Sequence, residues 1–326
     1  MRLSLPALSV LVLIAGCSDD PNTPPPPQVV SVSFTGLVAL DPATEGTYEG
    51  WVIDGSGAAH STGTFALDGS SSYMFDVPIE SPTMFVLTVE PPSDSDPTPS
   101  AQKLLAGPFV SGTASLSALG LVSESPTADF TASPGTHVLL TPTTVATTDD
   151  DAGIWLLNPP APGGMPSATV TLPPLTAGWI YEGWVVNQPG TANQTAISYG
   201  KFTPQSDGTL SGRDSDAAGP FSGAPGDLTA GPPFPGSDFV MPNGANVPGA
   251  LVIPFDFNGD DAVIGDSEWM HVISIEPAFD VGEPTLSAMP FQLKPFGDPF
   301  GDGGPTTARI IMPLAALPTG TATVSQ

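Results

Sequence analysis

Few side chains in this chain could do chemistry, and their spacing limits what that chemistry could be. Cys17 is the only cysteine among 326 residues, which excludes disulfides and structural zinc–thiolate sites. The three histidines, His60, His137 and His271, stand too far apart in sequence to form a local metal motif, and none has a serine or carboxylate neighbour at triad spacing. Each reads as an ordinary strand or loop residue. Ser267, in Gly265-Asp266-Ser267-Glu268, sits in a block suited to nucleophilic attack, but no Asp-x-x-His follows it. The chain therefore reads as a non-enzyme. Asp256-Phe257-Asn258-Gly259-Asp260-Asp261 puts oxygen ligands at alternate positions as a calcium loop does, through Asp256, Asn258 and Asp260. The match is incomplete: Asp261 stands where such a loop has glycine, and no glutamate occupies the twelfth place. Asp149 to Asp151 could contribute similarly. No cofactor is expected, and calcium is the alternative.

The elements that must position these residues announce themselves by repetition. Tyr48-Glu49-Gly50-Trp51-Val52 returns as Tyr181-Glu182-Gly183-Trp184-Val185, each followed by a Gly-x-Phe, Gly63-Thr64-Phe65 and Gly200-Lys201-Phe202. Val86 to Pro91 then returns as Val272 to Pro277, with a Glu-Pro ending in both. In an extended strand Glu182, Trp184 and Val186 point to one side and Tyr181, Gly183 and Val185 to the other. A carboxylate beside an indole must lie at a rim or be buried with hydrogen-bond donors, because basic partners are scarce. Glycine between the aromatics lets a neighbour approach closely. Tyr48, Glu49, Trp51, Tyr181, Glu182 and Trp184 read as a structural signature, with a tryptophan ligand platform as the alternative.

The copies are offset by 133 residues at the pentapeptide, 137 at the Gly-x-Phe and 186 at the Glu-Pro strand, so the second carries about 49 extra residues, roughly 207–256. Loops longer than ~12–15 residues tend to be functional or disordered, and Phe221, Phe234 and Phe239 would let this one pack down. It is the first place to expect recognition. With 36 Gly and 41 Pro, short strands joined by turns are expected in place of long helices. The fold class is all-β: two tandem immunoglobulin-like β-sandwich domains. Their expected bounds are 29–117 and 136–326, joined by a linker at 118–135. His137 to Leu140 and Gly153 to Leu157 read as a hairpin that the first unit lacks. Ala168 to Leu175 reads as the counterpart of the first unit's opening strand.

The N-terminus supplies an address. Arg2, the apolar stretch Leu3 to Ala15 and the small residues before Cys17 read as a signal peptide over 1–16. Ile14-Ala15-Gly16-Cys17 fits a bacterial lipobox, in which Cys17 is acylated, with palmitate among its acyl chains. The apolar run of about 13 residues is shorter than the ~20 a spanning helix needs. Residues 17–28, with Pro24 to Pro27, form a stiff tether. Asp19 and Asp20 come one place late for inner-membrane retention, which favours the outer membrane of a bacterial cell envelope. A net charge of −27, with six Lys and Arg, excludes nucleic acid and anionic lipid as partners because both would be repelled. The lipid-anchored chain is expected to meet the membrane through its lipid and to engage envelope proteins or glycans.

Leu172-Pro173-Pro174-Leu175, Tyr181-Glu182-Gly183-Trp184-Val185, Gly200-Lys201-Phe202 and Ile275-Glu276-Pro277, in that order, resemble the exported C-terminal domain of anti-sigma-K-type factors. The first copy has Gly36 to Leu40 in place of the proline turn. The resemblance implies the fold and the envelope setting. It does not extend to the cytoplasmic sigma-binding segment or the transmembrane helix of an anti-sigma factor, which the sequence lacks. The function expected is a non-catalytic envelope lipoprotein that binds or senses. An accessory in envelope sigma-factor regulation and a calcium-stabilised adhesion or glycan-binding module are the alternatives.

Overall fold

The computed structural model describes residues 28–118, 122, 130, 135–141, 150–158, 167–170, 172–204, 210–213, 234–240, 251, 255–257, 268–279, 289–300, 309–313 and 317–325. The strands are β1 (Gln28–Thr35), β2 (Thr47–Asp54), β3 (Ala59–Phe65), β4 (Tyr73–Val77), β5 (Pro82–Glu90), β6 (Lys103–Pro108), β7 (Thr113–Ser117), β8 (Gly135–Leu139), β9 (Gly153–Trp155) and β10 (Leu157–Asn158). They continue with β11 (Ser167–Ala168), β12 (Trp179–Asn187), β13 (Thr195–Pro204), β14 (Leu210–Arg213), β15 (Gly236–Asp238), β16 (Trp269–Pro277), β17 (Phe296–Pro299), β18 (Arg309–Pro313) and β19 (Thr319–Ser325). Among the described residues the only helical element is a single 3-10 turn, Asp150–Ala152, and no helix is long and apolar enough to cross a membrane.

The protein is all-β. β1 begins directly after the proline run, where residues with an N–H to donate take over, and its alternation buries Val30 and Val32. Hydrogen bonding joins one sheet in the order β3-β2-β5-β6-β7-β19-β1-β4 and another in the order β14-β13-β12-β16-β17-β18-β8-β9-β15. With β14 set aside, the second order repeats the first strand for strand: β13 stands for β3, β12 for β2, β16 for β5, and so on to β15 for β4. The ends of the first sheet curl toward each other. Phe65 of β3 lies 5.2 Å from Phe75 and 5.3 Å from Tyr73 of β4, ring centre to ring centre. The result is a sandwich verging on a barrel, whose seam is closed by aromatic packing where hydrogen bonds stop.

This topology corrects four expectations. The chain beyond 317 does not belong to the second unit, whose expected bounds ran to 326, because β19 pairs with β7 and β1 inside the first sheet. The hairpin of β8 and β9 is not an addition either. It fills the places that β19 and β1 fill in the first sheet, so each sheet receives one strand from the chain just beyond the other unit's seventh. The supposed opening strand 168–175 is a two-residue ribbon, Ser167–Ala168 on Leu157–Asn158, followed by non-strand chain. Part of 207–256 is not loop but strand, since β15 pairs with β9 as β4 pairs with β1, whereas Phe239 packs down as expected, buried beside Phe255.

The two sheets share one core. A contiguous set of buried side chains runs from Val30, Tyr48 and Leu87 to Tyr181, Phe202 and Ile273, and the described residues of the 118–135 stretch, Ala118, Val122, Phe130 and Gly135, are buried too. Phe130 packs edge-on against Phe296 at 5.9 Å, so this stretch contributes to the interior and is more than a spacer. Contacts between the sheets are reciprocal. Gln102 of the first donates through Nε2 to Ala278 O at 2.9 Å, and Gln292 of the second donates through Nε2 to the Tyr48 hydroxyl at 2.5 Å while its Oε1 accepts from Val38 N at 2.9 Å.

Candidate functional site

The signature strands sit at matching places, β2 between β3 and β5 and β12 between β13 and β16. The bulge is duplicated as well: register shifts between Glu49 and Trp51 and between Gly183 and Trp184. In the Gly-x-Phe the glycine adopts positive φ, 79° at Gly63 and 120° at Gly200, which explains why glycine holds that place. Gly183 is required by proximity. A Cβ there would lie 1.8 Å from Cζ of Tyr199, whereas at Gly50 it would meet Thr62 Oγ1 at 2.7 Å.

Both indoles are buried, Trp51 at 2% and Trp184 at 1% exposure. Trp51 Nε1 donates to Thr88 Oγ1 at 2.9 Å and to Glu90 Oε1 at 3.3 Å, and Thr88 in turn donates to Glu90. Trp184 Nε1 donates to Ser274 Oγ at 2.8 Å, and Ser274 donates to Glu276. The glutamate of each Glu-Pro ending also accepts a backbone N–H from the returning chain, Ser100 N at 3.3 Å on Glu90 and Phe291 N at 2.8 Å on Glu276. On the neighbouring strand Ser61 donates to Glu49, and Ser198 donates to Glu182 at 2.5 Å. The tyrosines face the other way, into the shared core, where the Tyr48 hydroxyl donates to Val38 O and that of Tyr181 to Pro173 O, both at 2.8 Å. Burial raises both phenols, Tyr181 well above its ordinary value.

Among the aligned positions at which the copies diverge, three cluster around the second motif: Thr62 becomes Tyr199, Thr64 becomes Lys201 and Phe85 becomes His271. The Tyr199 hydroxyl lies 2.8 Å from His271 Nε2, His271 Nδ1 lies 3.3 Å from His137 Nδ1, and His137 Nε2 lies 3.8 Å from Asp298 Oδ2. Both imidazoles are fully buried, and burial holds His271 down at about 3, hence neutral. One protonation pattern fits both hydrogen bonds of this cluster and points the remaining N–H at a carboxylate. Tyr199 O–H donates to His271 Nε2, His271 Nδ1–H donates to His137 Nδ1, and His137 Nε2–H is left to face the Asp298 carboxylate. Sequence spacing gave no sign of this cluster, because β8 and β16 are brought together only by the sheet. The alignment of His271 with Phe85 on duplicated strands was the one available signal.

Electrostatics separate the outer carboxylates. Burial, then the charge of Glu182, pushes Glu276 up to about 8, against the hydrogen bonds from Ser274 and Phe291 N and the pull of Lys201. Burial also raises Glu49, although the hydrogen bond from Ser61 opposes it. His60 sits apart at 2.8 Å from Asp54 on the β2–β3 hairpin, where that contact and the hydrogen bond from Ser56 hold the Asp54 carboxyl well below its usual range. Of the calcium candidates, Asp256 is exposed between the buried Phe255 and Phe257; Asn258, Asp260 and Asp261 lie outside the described residues, as do Cys17, Asp149 and Ser267. Among the described residues no group of three or more His, Cys, Asp or Glu side chains is placed to hold a metal ion. Comparison of the chain with protein-family models, with curated proteins and with solved structures finds no match.

Proposed function

We propose that this chain is a non-catalytic envelope protein, moored by lipid at Cys17 and acting by binding or sensing. The observation that supports the reading most is the inward use of the motif in both copies. Its tryptophans are buried against the Glu-Pro strands, whose Glu90 and Glu276 hold returning chain segments in place, and the histidine–tyrosine cluster is shut inside the second sheet, out of reach of a substrate. Such a frame leaves hairpin ends and a polyanionic surface to meet partners, envelope proteins or glycans before anionic polymers. The resemblance to anti-sigma-K exported domains agrees with an extracytoplasmic setting and adds no sigma-binding part. The test is metabolic labelling with an alkyne palmitate in a bacterial host, followed by fractionation. The intact chain should label and sediment with membranes, and Cys17→Ala should do neither. Labelling that survives Cys17→Ala overturns the anchor, and covalent capture of Ser267 by a serine-reactive phosphonate overturns the non-catalytic assignment.

A further inference from the structure

The second sheet carries two buried carboxyls on adjacent strands. Glu182 on β12 stands opposite Ser274 on β16, and Glu276 lies two residues further along, on the same face as Ser274. They are 0% and 5% exposed. The charged groups acting on Glu276 are Glu182 of β12 and Lys201 of β13, and the segment 289–293, Met-Pro-Phe-Gln-Leu, brings no ionisable side chain. Two buried negative charges facing one cation leave an excess that a single proton removes.

What this pair holds is a piece of chain that reaches both sheets. Met289 packs in the cluster around Trp184, Phe291 N donates to Glu276, and Leu293 O accepts from Ile275 N at 2.7 Å. Between them, Gln292 crosses to Tyr48 and Val38 of the first sheet. We propose that Glu182 and Glu276 form a one-proton latch: while they share a proton, segment 289–293 stays seated on β16 and on the first sheet, and loss of that proton unseats it. When both carboxyls are ionised, one must reach water, and the way out is past the segment that covers it. The first sheet is built differently. Its Glu49 is half-buried at the rim beside exposed Ser61, with Thr64 in place of the lysine, so a second charge there is solvated without moving the chain. The sign follows from where the proton is held: Glu276 sits above its ordinary value of 4.5, so the seated state is favoured at low pH and lost as pH rises through about 8. This inference stands apart from the envelope assignment, since it requires neither the lipid nor a partner.

The experiment is hydrogen exchange on the full chain, read at the amides of Phe291 and Ile275 and corrected for hydroxide catalysis. Their protection should be greatest below about pH 4.5, fall by up to about tenfold per pH unit as pH rises toward 8, and level off above it. Amides of β2 and β5 should stay protected over the same range. In Glu276→Gln protection of the reporter amides should be flat with pH, and in Glu182→Gln, where burial still raises Glu276 but the neighbouring charge is gone, the fall should be smaller than in the wild-type chain; if one variant fails to fold, the other gives the reading. A flat profile in the wild-type chain, an undiminished fall in the glutamine variants, or simultaneous loss in β2 and β5 overturns the latch.

Discussion

The first and second sheets share their outer-face hydrogen bonds almost atom for atom and differ behind them. Trp51, Thr88 and Glu90 do in one what Trp184, Ser274 and Glu276 do in the other, and a serine hydroxyl meets Glu49 and Glu182 alike. On the core side the first sheet places Thr62 and Phe85 where the second places Tyr199 and His271. What stayed the same secures chain segments to the sheet, and what changed is packing, where a phenylalanine gave way to a hydrogen-bonded chain of rings. A duplicated frame thus tolerates chemical change in its interior more readily than in the contacts that hold its loops.

The largest test of this equivalence is to remove the strand that the sheets handle oppositely. β8 enters the second sheet from within the chain, but β19 closes the first from the chain's far end, lying between β7 and β1 with Ala322 fully buried. Deleting residues 317–326 should expose both neighbouring strands and abolish exchange protection in β1, β4 and β7, with loss of the cooperative unfolding transition of the first sheet. Adding a peptide of those ten residues in trans should restore protection. If protection in β1 survives the deletion, the first sheet is complete without β19 and the strand-for-strand equivalence fails.

Next comes the glycine between the aromatics. Gly183→Ala drives a methyl into the ring of Tyr199, which is fully buried with its hydroxyl 2.8 Å from His271 Nε2, and should cost about 3 kcal/mol or more. Gly50→Ala meets first the Thr62 hydroxyl, whose rotamer can change, and should cost about 1 kcal/mol. Denaturant unfolding at neutral pH checks both. Equal costs would mean that Tyr199 does not distinguish the copies.

How much of this was legible beforehand follows from the same residues. Repeats, strands and the burial of the pentapeptides could be read because alternation and turn residues are local signals. The duplicated Glu-Pro endings already implied aligned strands. The place of β19 could not be read, because Thr-Gly-Thr-Ala-Thr-Val-Ser alternates as well in one sheet as in another and sequence carries no mark of which edge it completes. Nor could the pairing of His137 with His271, separated by 134 residues, since β8 and β16 have β17 and β18 between them in the sheet and the two rings meet only in the folded interior. The interior role of β15 was hidden in a stretch whose Gly and Pro content reads as loop.

The histidine chain should also set the acid limit of the second sheet. His271 is held at about 3 against its ordinary 6.5, so the unfolded chain binds the proton more readily; stability present above about pH 6.5 is lost as pH falls toward 3. Glu276 works in the reverse direction, with stability present below 4.5 and lost as pH rises through about 8. The paired change Tyr199→Thr with His271→Phe gives the second sheet the first sheet's residues. It should remove the acid limb, a gain on the order of 2 kcal/mol relative to wild type at about pH 4, and leave the alkaline limb in place. Thermal melts across pH decide this, and an unchanged acid limb would assign it to other groups.

The smallest expected difference lies in the tyrosines, and it reports on the contact between the sheets. The Tyr181 hydroxyl makes one recorded bond, to Pro173 O, whereas that of Tyr48 donates to Val38 O and also accepts from Gln292 of the other sheet. Tyr181→Phe should cost about 1 kcal/mol and Tyr48→Phe about 2 kcal/mol, because the latter also leaves the Gln292 amide with a lost acceptor. A double-mutant cycle with Gln292→Ala isolates the excess: a coupling of about 1 kcal/mol is expected for Tyr48 and none for Tyr181. The contrast matters because Gln292 sits on the segment that the Glu182 and Glu276 pair holds. If Tyr48 and Gln292 are uncoupled at neutral pH, the sheets do not communicate through this contact, and the likeness of the two copies ends at their shared core.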